Sequence, residues 1–69
     1  MAIMQLAIKE NDVVELARPF GKWPAGRLGA VVSDYGDVKL VEIADGRGQM
    51  LDLIQVPVSE LELIVKYGG

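Results

Sequence analysis

Apolar and polar positions alternate along this chain in short runs bounded by glycine, proline and acidic residues. The clearest pair of runs is 28–32 (L-G-A-V-V) and 38–43 (V-K-L-V-E-I), which flank the polar segment 33–37 (S-D-Y-G-D). Apolar, β-branched runs on either side of a short polar turn predict a β-hairpin, with Gly36 taking the positive φ where the chain reverses. Upstream, Val13-Val14-Glu15-Leu16 reads as a short strand with Val14 and Leu16 inward and Glu15 in water. Downstream, Asp45-Gly46-Arg47-Gly48 carries Asp-Gly turn chemistry, and 49–56 reads as a fourth strand. There Leu51 and Leu53 fall on one face and Met50, Ile54 and Val56 largely on the other. Pro57 stops that ladder, so 57–60 is expected to form a single 3₁₀ turn before a closing strand over 61–65.

The segment between the first two strands behaves differently. Residues 17–27 (A-R-P-F-G-K-W-P-A-G-R) hold two prolines and two glycines, which rule out regular structure. Phe20 and Trp23 are too apolar to stay in water, so the loop is expected to fold back over one end of the sheet. Gly29, at the start of the hairpin, suggests a close backbone approach or a bulge that curls the sheet. Before all this, Met4, Leu6 and Ile8 alternate with Gln5, Ala7 and Lys9, which predicts an N-terminal strand or arm. Five short strands, a long first loop and a 3₁₀ turn before the last strand give the order of an all-β, SH3-like barrel. The expected organisation is one domain over 1–69, with an arm at 1–11, the barrel at 12–65 and a frayed tail at 66–69.

Length and composition narrow the picture. Sixty-nine residues bury a small core, and domains of this size usually gain margin from a disulfide, a metal or a partner chain. The sequence has no cysteine and no histidine, which excludes disulfides and the common zinc and copper ligand sets. No cofactor is implied. With 51% of residues hydrophobic, a partner chain is the remaining device, and a homo-oligomer, most simply a dimer, is expected. The net charge of −3 and the scattering of the seven basic residues argue against a nucleic-acid binder. No apolar run reaches the roughly 20 residues that span a bilayer. The N-terminal apolar stretch lacks a basic start and a cleavage signal, so the expectation is a soluble cytoplasmic protein.

Candidate chemistry is sparse. Without histidine or cysteine, acid–base work falls to carboxylates, of which Asp34, Asp37, Glu42, Asp45 and Asp52 lie near hairpin ends. Acids in turns are ordinarily turn formers, so a non-enzymatic protein is expected. Asp34-Tyr35-Gly36-Asp37 lacks the acid ladder and terminal glutamate of an EF-hand loop, and no metal site is assigned. Phe20, Trp23 and Tyr35 are candidates for a peptide groove, set against a simpler role for Trp23 and Phe20 as plugs of the barrel or of a subunit contact. Arg27, Lys39 and Arg47 are candidates for phosphate contact, offset by the acids among them.

With these residues in place, the chain resembles a bacterial family of very short SH3-like barrel proteins, a domain of unknown function. The resemblance runs from residue 12 to residue 63. It is carried by Asp12-x-Val14-x-Leu16, Gly29-x-Val31-Val32, Tyr35, Val41-Glu42-Ile43, and Val56-Pro57 before Leu61. It implies the barrel fold and no activity or site residues. Gly26-x-x-Gly29-x-Val31 is also similar to the glycine–valine core of KOW-type barrels, which implies nucleic-acid binding as the alternative function. A small carboxylate-dependent enzyme is the third reading.

One pattern remains. A single barrel interior needs apolar residues on one face of each strand, yet several strands are apolar on both. Met4, Leu6, Ile8, Val38, Leu40, Met50 and Ile54 are therefore the expected interface residues. A self-associating interaction or accessory module is the expected function.

Overall fold

The computed structural model describes residues 7–68 and is all-β: β1 (Val13–Leu16), β2 (Leu28–Asp34), β3 (Val38–Ala44), β4 (Met50–Pro57) and β5 (Leu61–Val65). A single 3₁₀ turn, Val58–Glu60, joins β4 to β5. All pairings are antiparallel, and the strand order β4-β3-β2-β1-β5 leaves β4 and β5 as the edges of one five-stranded sheet. The sheet is not closed by a pairing between its edges.

Alternation decides which residues form the core. Val14 and Leu16 of β1, Val31 of β2, Val41 and Ile43 of β3, Val56 of β4 and Leu61 of β5 are all buried. They share one face because side chains alternate and the register aligns Val31 with Val41 and Leu16 with Leu61. Three bulges bend the strands, between Val13 and Val14, between Val31 and Ser33, and between Ile43 and Ala44. A bulge increases local twist, which wraps the sheet around its buried face. Gly29 is the place of closest approach. A Cβ built there lies 2.5 Å from Cγ1 of Val41 and 3.0 Å from the carbonyl oxygen of Glu42. The bulges lie elsewhere, so Gly29 serves packing.

The long loop folds back as expected. Its base is fastened where Leu16 N–H donates to the Arg27 carbonyl (3.0 Å) and Gly26 N–H to the Leu16 carbonyl (2.7 Å). Its tip is a tight turn in which Phe20 and Trp23 exchange two backbone hydrogen bonds of 2.9 Å around Gly21. Both rings pack against the core. The 3₁₀ turn is held at both ends: Val58 N–H donates to the Asp37 carbonyl, and Ala17 N–H donates to the Glu60 carbonyl.

Two parts of the chain sit otherwise than their patterns suggest. Ile8, read as part of a free arm, is buried in the core, while Met4 and Leu6 lie outside the described residues. Lys66 and Tyr67, read as tail, are fastened to Asp12. Lys66 Nζ donates to Asp12 Oδ2 (2.7 Å) and to the Ala7 carbonyl (2.7 Å), and Tyr67 N–H donates to Asp12 Oδ1 (2.8 Å).

Candidate docking face of the sheet

The face of the sheet opposite the core is built by the alternate residues of the same strands. The register aligns Val65 with Val13, Val13 with Ala30, Ala30 with Glu42 and Glu42 with Leu53, a row across all five strands. A neighbouring row carries Glu62, Glu15 and Leu28, in line across β5, β1 and β2. Leu28 (51% exposed), Met50 (51%), Leu53 (45%) and Val65 (56%) stand free on this side. Between the rows Val13, Leu28, Gly29, Ala30, Glu42 and Ala44 line a shallow groove, its floor low because Gly29, Ala30 and Ala44 are small. Large apolar side chains around a floor of small residues give a surface that accepts a partner's side chains.

The expected interface residues divide. Val38 and Leu40 face outward and are half-buried, and Met50 is exposed. Ile54 belongs to the other face: it is aligned with Val41 and packs against the core. Asp52, Ile54 and Val56 therefore face inward, and Leu53 and Gln55 outward. The bulge between Ile43 and Ala44 inserts Leu51 and returns Met50 to the outer side.

Phe20, Trp23 and Tyr35 do not form one groove. Trp23 is half-buried beside the far end of β3, where its Nε1 donates to Asp52 Oδ2 at 2.9 Å. The Arg27 guanidinium and Lys22 Nζ lie 4.9 and 5.2 Å from the centre of its ring, within cation–π range. Tyr35 is exposed in the β2–β3 turn, beyond Val38 at the opposite end of β3. Five residues of strand separate the two positions, about 16 Å. Replacing Asp52 by Ala is expected to shift Trp23 emission to the red and raise its quenching by acrylamide, at a stability cost of about 1 kcal/mol. Unchanged emission would show that the indole is held by packing alone.

The candidate acids are likewise dispersed. Asp34 accepts from Gly36 N–H (2.8 Å) and pairs with Lys39, which is buried. The Lys39 hydrogen bond, with help from that backbone donor, holds the Asp34 carboxyl below its ordinary value. Asp45 accepts from the N–H groups of Arg47 (2.8 Å) and Gln49 (2.9 Å), and Asp52 from Trp23 and from its neighbour Leu53. Glu42 stands on the outer face. Among the described residues no three acids converge to hold a metal. The basic candidates are also apart: Lys39 faces inward on Asp34, whereas Arg27 bonds the Ala44 carbonyl (2.8 Å) at the other end of β3.

Asp12 is the residue that pattern reading leaves unassigned. It is 1% exposed and accepts three hydrogen bonds, from Lys9 N–H (2.8 Å), Lys66 Nζ and Tyr67 N–H. Burial alone would raise its pKa; the bonds from Lys66, Tyr67 and Lys9 outweigh it and hold the group at about 2. Asn11, beside it, adopts φ 73°, a left-handed conformation that asparagine tolerates and that turns the chain from Lys9 into β1.

No family model and no curated protein matches the chain. Among solved structures it is similar to the ββα-Me type II restriction endonuclease Hpy99I, with a TM-score of 0.71 and 27% identity. The likeness covers 87% of this chain and 30% of that one, so the chain spans under a third of the enzyme's length. The described residues of this chain contain no α-helix.

Proposed function

We propose that this chain is a non-catalytic, SH3-like interaction module that docks a polypeptide on the outer face of its sheet. The observation that carries the reading is the apolar surface that Val13, Leu28, Ala30, Leu53 and Val65 form on aligned strands, which the other described residues leave partly open to solvent. Strand order, the long first loop and the 3₁₀ turn before β5 support the SH3-like assignment. The acids offered as catalytic candidates are engaged in turns and side-chain pairs or stand apart, which supports a binding role over a chemical one. Leu28→Gln combined with Leu53→Gln is expected to lower folding stability by only about 1 kcal/mol, because about half of each residue is already exposed to water. The same double variant is expected to lose most binding of a hydrophobic dye. A large fall in stability would show that the two leucines serve the fold and leave no free docking face.

The likeness to Hpy99I favours a second reading, in which the chain is an accessory element of a DNA-acting protein. A sheet unit making up 30% of an endonuclease is the size of an appended module. The net charge of −3 works against phosphate contact in this chain. Binding of duplex DNA that weakens steeply with salt would favour this reading.

A further inference from the structure

We infer that the partner taken by the outer face is a basic, apolar polypeptide segment, its apolar side chains in the groove and its lysines or arginines on Glu15, Glu42 and Glu62. This rests on the docking-face reading and names the chemistry of what docks. The charge of the face carries it. The outward strand positions are apolar apart from Ser33, Gln55 and the three glutamates, and none is lysine or arginine. Three of the cations are spent elsewhere: Lys39 is buried on Asp34, Lys66 is bound to Asp12, and Arg27 is bound to Ala44 and stacked on Trp23, while Arg18, three residues from Glu15, lies past the end of β1 and makes no ion pair among the described residues.

Glu15 and Glu62 are aligned partners on β1 and β5, an arrangement in which like charges repel and cost the sheet stability. Among the described residues no ion pair relieves either of them or Glu42. Solubility alone is served as well by mixed charge, so a single sign around an apolar groove is complementary to a cationic apolar chain. A cation seated between Glu15 and Glu62 removes their repulsion on binding. A second copy placed face to face brings three glutamates from each chain together, and a nucleic-acid backbone meets the same negative field. Both are disfavoured by the charge that favours a basic segment.

The test uses the full chain and three labelled peptides, repeats of Leu-Ser-Lys-Ser (Lys–Leu), Leu-Ser-Ser-Ser (Ser–Leu) and Leu-Ser-Glu-Ser (Glu–Leu), with a DNA duplex as a fourth probe. In an extended peptide this spacing places the leucines and the lysines on the same side. The Lys–Leu peptide is expected to bind saturably at low salt, at least about tenfold more tightly than Ser–Leu, with the difference shrinking at high salt. The variant E15Q/E42Q/E62Q is expected to lose that tenfold advantage while its denaturant midpoint stays level or rises, since repulsion has been removed. The variant L28Q/L53Q is expected to lose all peptide binding. Equal binding of Lys–Leu and Ser–Leu overturns the inference but, if L28Q/L53Q still abolishes it, leaves the docking face intact. Full binding by L28Q/L53Q overturns the face itself. Preferential binding of the duplex overturns the inference in favour of nucleic acid. A dimer in light scattering that tightens in the glutamine variant overturns it in favour of a second copy.

Discussion

Gly29→Val is expected to leave most of the chain unfolded at room temperature. The Cβ alone meets Val41 Cγ1 at 2.5 Å, the Glu42 carbonyl oxygen at 3.0 Å and Ile43 Cδ1 at 3.2 Å. Val41 and Ile43 are 1% and 0% exposed, so neither has space to swing into, and a backbone carbonyl in the β2–β3 ladder has none either. Overpacking of this kind costs about 1–3 kcal/mol for a single added group and more for a branched one. Domains of this size hold only about 3–5 kcal/mol in total. Gly29→Ala should therefore lower the urea midpoint clearly, and Gly29→Val should remove the cooperative transition. An unchanged midpoint in either variant would mean that the strands stand further apart than described.

Loss of the Asp12 carboxylate is the second large effect. Asp12→Ala strips three donors of their acceptor, among them the Lys66 ammonium, at a site where the acid itself is 1% exposed. Lys66 is partly exposed and keeps the Ala7 carbonyl, so the main loss falls on the two backbone N–H groups and totals about 2–4 kcal/mol, a large share of the domain's stability. The same carboxylate gives the fold a pH dependence of defined sign. Its pKa is held at about 2 in the folded state against 3.8 ordinarily, so its contribution is complete above about pH 4 and is lost as pH falls through about 2. The shift corresponds to about 2 kcal/mol. Asp34, also held below its ordinary value, acts in the same direction. Denaturation curves between pH 5 and pH 2 should show the fall, and Asp12→Asn should flatten it. Equal acid sensitivity in that variant would assign the effect to other groups.

The strands were legible because each depends on local features that the sequence writes in adjacent letters. Val13-Val14-Glu15-Leu16, the pair of runs around Ser33–Asp37, and Pro57 ahead of the last strand each mark their own boundaries. Faces were harder to read on β4. Leu51 and Leu53 are its most apolar-looking pair, yet the inward positions are Asp52, Ile54 and Val56, and strict alternation breaks at the bulge that admits Leu51. Bulges depend on the partner strand, which no local pattern records. Asp12 was illegible for the same reason. Its acceptors are filled by Lys66 and Tyr67, 54 and 55 positions away, and nothing between residues 9 and 12 announces them. Lys39 likewise looked like an exposed cation on a two-faced strand and is buried on Asp34. The outer apolar surface was visible as an excess of hydrophobic residues, but its membership required the register.

The most direct test of the docking face is a map of amide chemical shifts as the Lys–Leu peptide is titrated into the isotope-labelled chain. The largest shifts are expected at Val13, Glu15, Leu28, Ala30, Glu42 and Leu53, saturating together, with Val14, Val41 and Val56 little moved. Shifts centred instead on Phe20, Trp23 and Tyr35, or no saturable shift on the outer face, would contradict the account.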